Sequence, residues 1–206
     1  MQQERLFAVI LAGGKGSRIE NPDKPLIKLS STPLIELCLQ KIQDKVAQVV
    51  LSINHNPEKY IHLNLPLIPD ARDSYQGPLI GIYSAMEWIE NNVLIERPEA
   101  LLCIPADVPF FPEDLISKLW KAYSKEECDV VWCQCDDQVQ PLFSIWSLSC
   151  RDKLKRAIGE GLYGPKLIMD RLRNRLITVK RESELEFLNI NDQESLKIAQ
   201  EMINFK

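Results

Sequence analysis

The chain has 206 residues, 45% apolar and 26% charged, with 25 basic against 29 acidic side chains and a net charge of −4. Such values describe one ordinary globular domain able to bury a full core, and they exclude a chain disordered throughout. The acidic balance offers no basic face for nucleic acid, and no run approaches the ~20 apolar residues that span a bilayer, so neither nucleic acid nor membrane is expected as a partner.

The polar opening Met1-Gln2-Gln3-Glu4-Arg5 and the brief apolar run after it lack the form of a secretory signal, which makes the cytoplasm the expected compartment. Residues 6–12 are almost continuously apolar, as in an interior parallel strand covered on both faces. A polar, glycine-rich loop follows from Gly13 to Lys24. Thr32-Pro33 is expected to open a helix, with Thr32 as N-cap, Pro33 at the first helical position, and Leu34, Leu37, Leu39 and Ile42 as its apolar side. Strands are expected over 46–53, stopped by Asn54-His55-Asn56-Pro57, and over 63–68. Residues 78–89 read as a helix with Leu79, Ile82, Met86 and Ile89 on one face.

A further buried strand covers 100–104, and Pro112 begins a helix to about residue 125 with Leu115, Leu119 and Ala122 inward. Residues 129–133 and 142–146 read as strands, 150–158 and 165–172 as helical pieces, 176–179 as a late strand, and 192–203 as a last helix capped by Asp192. Strands alternating with amphipathic helices, with no internal repeat or linker, predict a single layered α/β domain over residues 1–206. The six cysteines, at 38, 103, 128, 133, 135 and 150, fall largely in apolar segments that suit buried free thiols. Cys133-Gln134-Cys135 is spaced too closely for structural zinc, and His55 and His62 complete no ligand set.

Chemistry concentrates after the first strand, in Leu11-Ala12-Gly13-Gly14-Lys15-Gly16-Ser17-Arg18. Three glycines within four positions allow a sharp turn with N–H groups aimed at phosphate oxygens, and Lys15 and Arg18 add positive charge, Arg18 with bidentate capacity. The run is neither a P-loop nor Gly-x-Gly-x-x-Gly, and a merely tight β–α turn is the alternative. Lys24, in Asn21-Pro22-Asp23-Lys24-Pro25, can reach back to phosphates or be a solvated lysine. Asp70 and Asp107 stand just past strand ends, where open α/β sheets bind ligands; each can hold Mg²⁺ with substrate phosphates or simply turn the chain. Gly77-Pro78-Leu79 leads into a helix N-terminus that can meet a base edge or a phosphate, or is a plain junction. Asn189 and Asn191 alternate with apolar neighbours, so both amides share one face, lining a pocket or preparing the last helix's cap.

Taken in order, LAGGKGSR, DKPLIKL, PLIELCL, IPDARDSYQGPLIG, IPADVPF and FLNINDQESL resemble the molybdenum cofactor guanylyltransferases, a branch of the Rossmann-like nucleotidyltransferases, over nearly the whole chain. The resemblance implies a three-layer α/β/α fold with a mostly parallel sheet of the nucleotide-diphospho-sugar transferase type. It implies an Mg²⁺-dependent transfer of GMP from GTP to molybdenum-bearing molybdopterin, with release of pyrophosphate. Gly13, Gly14 and Lys15 would hold the triphosphate with Arg18 nearby, Lys24 would stabilise its charge, and Asp107 would bind Mg²⁺. Asp70 would lie in the nucleotide-binding segment. The backbone at Leu11, Ala12 and Gly77-Pro78-Leu79 would surround guanine and ribose, and Gln140-Pro141 and Asn189-Ile190-Asn191 would face the pterin. No protein nucleophile is required, so Lys24, Arg18 and Asp107 would act by positioning and charge.

The chain departs from the family at Ile19-Glu20, where Met-Gly commonly follows the arginine, and at Pro25, which resembles sugar-nucleotide transferases. Gly161-Leu162-Tyr163-Gly164-Pro165 also lacks the basic character common there. Other readings are a nucleotidyltransferase using CTP or another triphosphate with a pterin, polyol or sugar phosphate, and a nucleotide-binding domain without turnover. A monomer is expected, with transient contact to a molybdenum-insertion protein and to apo-molybdoenzymes.

Overall fold

The computed structural model describes residues 5–13, 23–71 and 77–204. Their strands are β1 (Leu6–Leu11), β2 (Lys28–Leu29), β3 (Thr32–Pro33), β4 (Gln48–Ser52), β5 (Leu67–Ile68), β6 (Ala100–Pro105), β7 (Val130–Cys135), β8 (Gln138–Ser147) and β9 (Asn174–Val179). Their α-helices are α1 (Leu34–Ile42), α2 (Pro78–Asn92), α3 (Leu115–Tyr123), α4 (Arg151–Gly159) and α5 (Gln193–Asn204).

Seven strands form one sheet in the order β5-β4-β1-β6-β8-β7-β9, with β2 and β3 making a separate small ribbon. Pairings in the large sheet are parallel except those of β8, which runs antiparallel to both β6 and β7. The centre of the sheet has no solvent-facing side. In β1, Leu6, Ala8 and Ile10 enter one core with Ile35, Cys38 and Ile42 of α1 and Leu115 and Leu119 of α3. Phe7 and Val9 enter the opposite core with Leu79, Ile82 and Met86 of α2 and Leu154 and Ile158 of α4. Period-two alternation thus feeds two helical layers, which is why the run reads as continuously apolar. A third cluster, Leu29, Leu34, Leu185, Ile190 and Ala199, ties α5 to the ribbon.

Several boundaries differ from the sequence expectation. Thr32-Pro33 pairs with β2 as a strand, and the helix starts one residue later, at Leu34. Its inward face is Leu34, Ile35, Cys38 and Ile42, while Leu37 and Leu39 are half-buried. Only Leu67–Ile68 pairs with β4, because Pro57–Leu63 winds as a 3₁₀ helix bounded by left-handed Asn56 and Asn64. The β7–β8 connection is a hairpin through Asp136 and Asp137, both at positive φ (48° and 60°), as a two-residue hairpin turn requires. Pro165–Arg171 is 3₁₀. The last helix is capped as expected, Asp192 Oδ1 accepting from the Ser195 N–H at 2.8 Å.

All six cysteines are buried and unpaired; burial raises the thiols of Cys133 and Cys150 to about 12. No described helix is long and apolar enough to cross a membrane.

Candidate functional site

The parallel strands β1, β4 and β6 end together, and the chain leaving each of them builds the site. Backbone pairing continues one residue past the strands: Ala12 N–H donates to the Ser52 carbonyl (2.9 Å) and Ala106 N–H to that of Leu11 (3.0 Å). Gly13, Ser52 and Asp107 are thereby held at one rim of the sheet, the position at which open α/β sheets bind ligands.

Lys24 is only 8% exposed. Its ammonium donates to Asp107 Oδ2 at 2.6 Å, to Asn189 Oδ1 at 3.3 Å and, in a short contact, to Asn191 Oδ1. Two features of the chain create this cage. Asp23 opens a 3₁₀ turn, Lys24–Leu26, that starts the lysine inward. The Ile190 N–H donates to the Asp107 carbonyl at 2.9 Å, stitching 189–191 to the end of β6. Ile190 itself is fully buried, so the flanking asparagines turn the other way and both reach the lysine. Lys24, Asp107, Asn189 and Asn191, far apart in sequence, form one polar cluster.

On the other side of Asp107 lies a pocket of about 120 Å³ lined by Leu11, Gly13, Ser52, Asp70, Gly77, Pro78, Gly81, Pro105, Asp107 and Leu142. Asp70 is fixed at both ends: its N–H donates to Asn54 Oδ1 (2.8 Å), while Asn54 Nδ2 donates to its Oδ2 (2.7 Å) and Ser52 Oγ approaches its Oδ1 (3.5 Å). Burial pushes the Asp70 carboxyl above its ordinary value, and the Asn54 and Ser52 hydrogen bonds offset only part of that rise. Asp23 shows the reverse balance. Burial would raise it, but hydrogen bonds from Lys59 and Asn56 and the Lys59 charge bring it below its ordinary value.

At Gly77 φ is +148°, and a Cβ there would lie 2.6 Å from the Tyr163 carbonyl oxygen, so the pocket wall needs glycine at this turn. The Leu79 N–H donates to that same carbonyl at 3.0 Å and the Leu79 side chain is fully buried; Gly77 and Pro78 are the parts of this turn that face the pocket. Gly14, Lys15 and Arg18 lie outside the described residues. Gln140-Pro141 sits where the β7–β8 register shifts, Trp132 pairing with Ser144 and Cys133 with Gln140, and this irregularity brings Leu142 to the pocket.

Ser52, Asn54, Gly81 and Leu142 were not singled out by sequence reasoning. Asn54 carried a usable signal, since it stands just past a strand end as Gly13 and Asp107 do. Among the described residues no group of three or more His, Cys, Asp or Glu is placed to hold a metal. Asp107 and Asp70 do face one pocket with hard oxygen donors, a set that fits Mg²⁺ of the kind completed by water and substrate phosphates.

A mostly parallel sheet with this glycine turn, lysine and aspartate gathered beyond its strand ends defines a Rossmann-like nucleotidyltransferase. The chain belongs to the MobA-like NTP transferase domain family, whose profile matches residues 8–176. The molybdenum cofactor guanylyltransferase of Haemophilus influenzae is 30% identical over 193 residues, which cover 93% of this chain and 96% of the relative. That of Pasteurella multocida is 32% identical over 154 residues, 75% of this chain and 78% of the relative. In fold, the chain is similar to the molybdopterin-guanine dinucleotide biosynthesis protein A of Archaeoglobus fulgidus, with a TM-score of 0.76, 24% identity, and coverage of 98% of this chain and 100% of that one.

Proposed function

We propose that this chain is a guanylyltransferase that moves GMP from GTP onto the terminal phosphate of molybdopterin, forming a guanine dinucleotide and releasing pyrophosphate. The observation that carries the reading is the Lys24–Asp107 pair beside the strand-end pocket. It supplies one cation, held among Asp107, Asn189 and Asn191, and one carboxylate that faces the pocket where a triphosphate would lie. The names of the relatives support the choice of GTP and of the pterin.

In this reading guanine and ribose rest against Leu11, Gly77 and Pro78, with Asp70 and the backbone at Ala12 and Gly13 beside them. Gly13, Gly14, Lys15 and Arg18 hold the triphosphate. An oxygen of the pterin phosphate attacks the α-phosphorus as the bond to the β-phosphate oxygen breaks, and both electrons leave with pyrophosphate. The protein needs neither nucleophile nor general base for this; it orients two anions and screens their charge. Lys24 moves from Asp107 to the phosphates and neutralises charge spreading over the transferred group. Asp107 would hold Mg²⁺ with help from Asp70, and the bound ion would supply further neutralisation of phosphate charge. Asn189 and Asn191 receive the pterin phosphate on the side away from the base. Six reduced, buried thiols support a cytoplasmic setting.

The test is pyrophosphate release with Mg²⁺ and each of GTP, CTP, ATP and UTP, with and without molybdate-loaded molybdopterin. Release with GTP and pterin together is the expected result. Release with CTP or UTP instead would move the assignment to another nucleotide, and silence with all four would overturn it.

A further inference from the structure

Lys24 directly follows a buried carboxylate, Asp23. Asp23 is 7% exposed, its Oδ1 accepts from Asn56 Nδ2 at 2.9 Å, and its Oδ2 forms a short ion pair with Lys59 Nζ. Both donors come from the segment that leaves β4. Asn56, left-handed at φ 50°, opens the 3₁₀ helix Pro57–Leu63, and the Lys59 N–H donates to the Asn56 carbonyl at 3.0 Å, which sets the two side chains on one side. Asp23 opens its own turn: its carbonyl accepts from the Leu26 N–H at 2.8 Å and that of Lys24 from the Ile27 N–H at 3.0 Å. One carboxylate therefore bolts two 3₁₀ turns together, and Lys24 is the first residue of one of them. Tyr60 is fully buried in the same segment, and among the described residues its hydroxyl has no hydrogen-bond partner. Burial, and then the Asp23 charge, raise that phenol, so it cannot serve as a second ionised anchor.

We infer that Lys59 and Asn56 are positioning residues that act through Asp23 to aim Lys24 at the phosphates, an inference resting on the role proposed for Lys24 above. Two physical effects converge. A lysine side chain samples many rotamers, and fixing its backbone start restricts where the ammonium can arrive. Asp23 is also an anion beside a site for a polyanion, and the Lys59 ion pair offsets part of its charge there. Lys59 is itself 47% exposed in its side chain, so a direct contact with substrate is the rival account.

The experiment uses the full chain as Lys59→Met, Lys59→Arg, Asn56→Ala, Asp23→Asn and the double variant Asp23→Asn/Lys59→Met. Three readouts are taken: kcat and KM for GTP, thermal melting, and the rate at which an N-hydroxysuccinimide ester acylates Lys24, mapped by mass spectrometry without substrate. Lys59→Met is expected to lower kcat about tenfold, with a smaller change in KM, and to speed Lys24 acylation severalfold. Lys59→Arg should restore both, and Asn56→Ala should move both in the same direction by less. In the Asp23→Asn background, Lys59→Met should add nothing. A further loss of activity in the double variant would overturn the inference in favour of direct substrate contact. Lower melting with unchanged kcat and unchanged acylation would overturn it in favour of a simple brace. A wild-type chain silent with every nucleotide would overturn the proposed function, yet the acylation comparison would still decide whether the clamp aims Lys24.

Discussion

Lys24 Nζ lies 2.6 Å from Oδ2 of Asp107, and the two side chains differ in exposure, 10% against 28%. The lysine is the buried member, and the aspartate is the one reachable from the pocket. A cation approaching Asp107 therefore competes with an ammonium already in place. Lys24→Met removes that competitor, and Mn²⁺ without nucleotide should bind the variant about tenfold more tightly than wild type, the scale of one charge-assisted hydrogen bond. Titration calorimetry reads this directly. Weaker or unchanged binding would mean that the pair does not guard the carboxylate.

The same variant should be a poor catalyst. Removing one donor that meets developing charge typically costs ~10²–10³ in turnover, and Lys24→Met should lose at least the lower figure in pyrophosphate release. Asp107→Asn should lose a comparable amount while keeping a hydrogen bond to Lys24. Melting curves near wild type for Asp107→Asn would confirm that the loss is chemical. Retention of wild-type turnover in both variants would remove them from the machinery.

Gly81 makes a prediction about the pocket floor. It lies in α2, where alanine is ordinarily preferred by ~1 kcal/mol, but a Cβ there would lie 2.7 Å from Ser52 Oγ and 2.8 Å from Leu11 Cδ2. Both of those residues line the pocket. Gly81→Ala should therefore raise KM for GTP several-fold with only a small shift in melting. Gly77→Ala is different in kind, because its neighbour is the Tyr163 carbonyl and its φ is +148°; it should destabilise by about 2 kcal/mol or more, measurable by urea unfolding.

Asp129 tests the opposite end of the sheet, just before β7 begins. It is 1% exposed and accepts from Lys153 Nζ (2.7 Å), the Arg173 backbone N–H (2.8 Å) and Arg173 Nη2 (3.3 Å). Burial would raise its carboxyl, but these partners outweigh burial and hold it below its ordinary 3.8. A depressed folded value stabilises above pH 3.8 and loses that stability as pH falls through the folded value. Asp129→Ala should cost about 2–3 kcal/mol at pH 7, moderated because both cationic partners are partly exposed. The gap to wild type should narrow below pH 3.8, with turnover per folded molecule unchanged. A gap independent of pH would point to lost packing alone.

The elements that were legible are those whose signal is local. β1 and β6 announce themselves as apolar runs because both faces are covered, and α2 because Pro78 starts it and its apolar residues recur. Thr32-Pro33 misleads, since the cap-and-proline pattern of a helix start also suits the last residues of a two-residue strand. The segment 63–66 misleads because Leu63 ends a 3₁₀ turn that only the preceding Pro57 hints at. In the site, Lys24 and Asp107 could be singled out because each stands at a turn or strand end, and Asn189 and Asn191 because they alternate with apolar neighbours. Their convergence on one ammonium could not, for it depends on the Ile190–Asp107 backbone bond across 83 positions. Asn54 and Asn56 read as part of the stop after β4 and Lys59 drew no reading, because their partners, Asp70 and Asp23, are brought to them by the fold.

Asp70 gives a prediction with the sign opposite to that of Asp129. Its folded carboxyl is raised by burial, so the folded state holds its proton more tightly than the unfolded chain does. The ionised form therefore weakens folding: the favourable contribution is complete below the ordinary value of 3.8 and is lost as pH rises through the folded value. Asp70→Asn should keep the Asn54 contact through its oxygen and turn its amide toward Ser52, while no longer burying charge. The variant should melt above wild type at pH 7–8, and the two should converge toward pH 4 as wild-type Asp70 takes up its proton. The same substitution should weaken GTP binding if the proposed function holds, because Asp70 lines the strand-end pocket. Melting curves across pH and a GTP titration of both proteins check the pair of statements. A variant less stable than wild type at pH 7–8 would show that the Asn54 and Ser52 hydrogen bonds, rather than burial, dominate at this carboxylate.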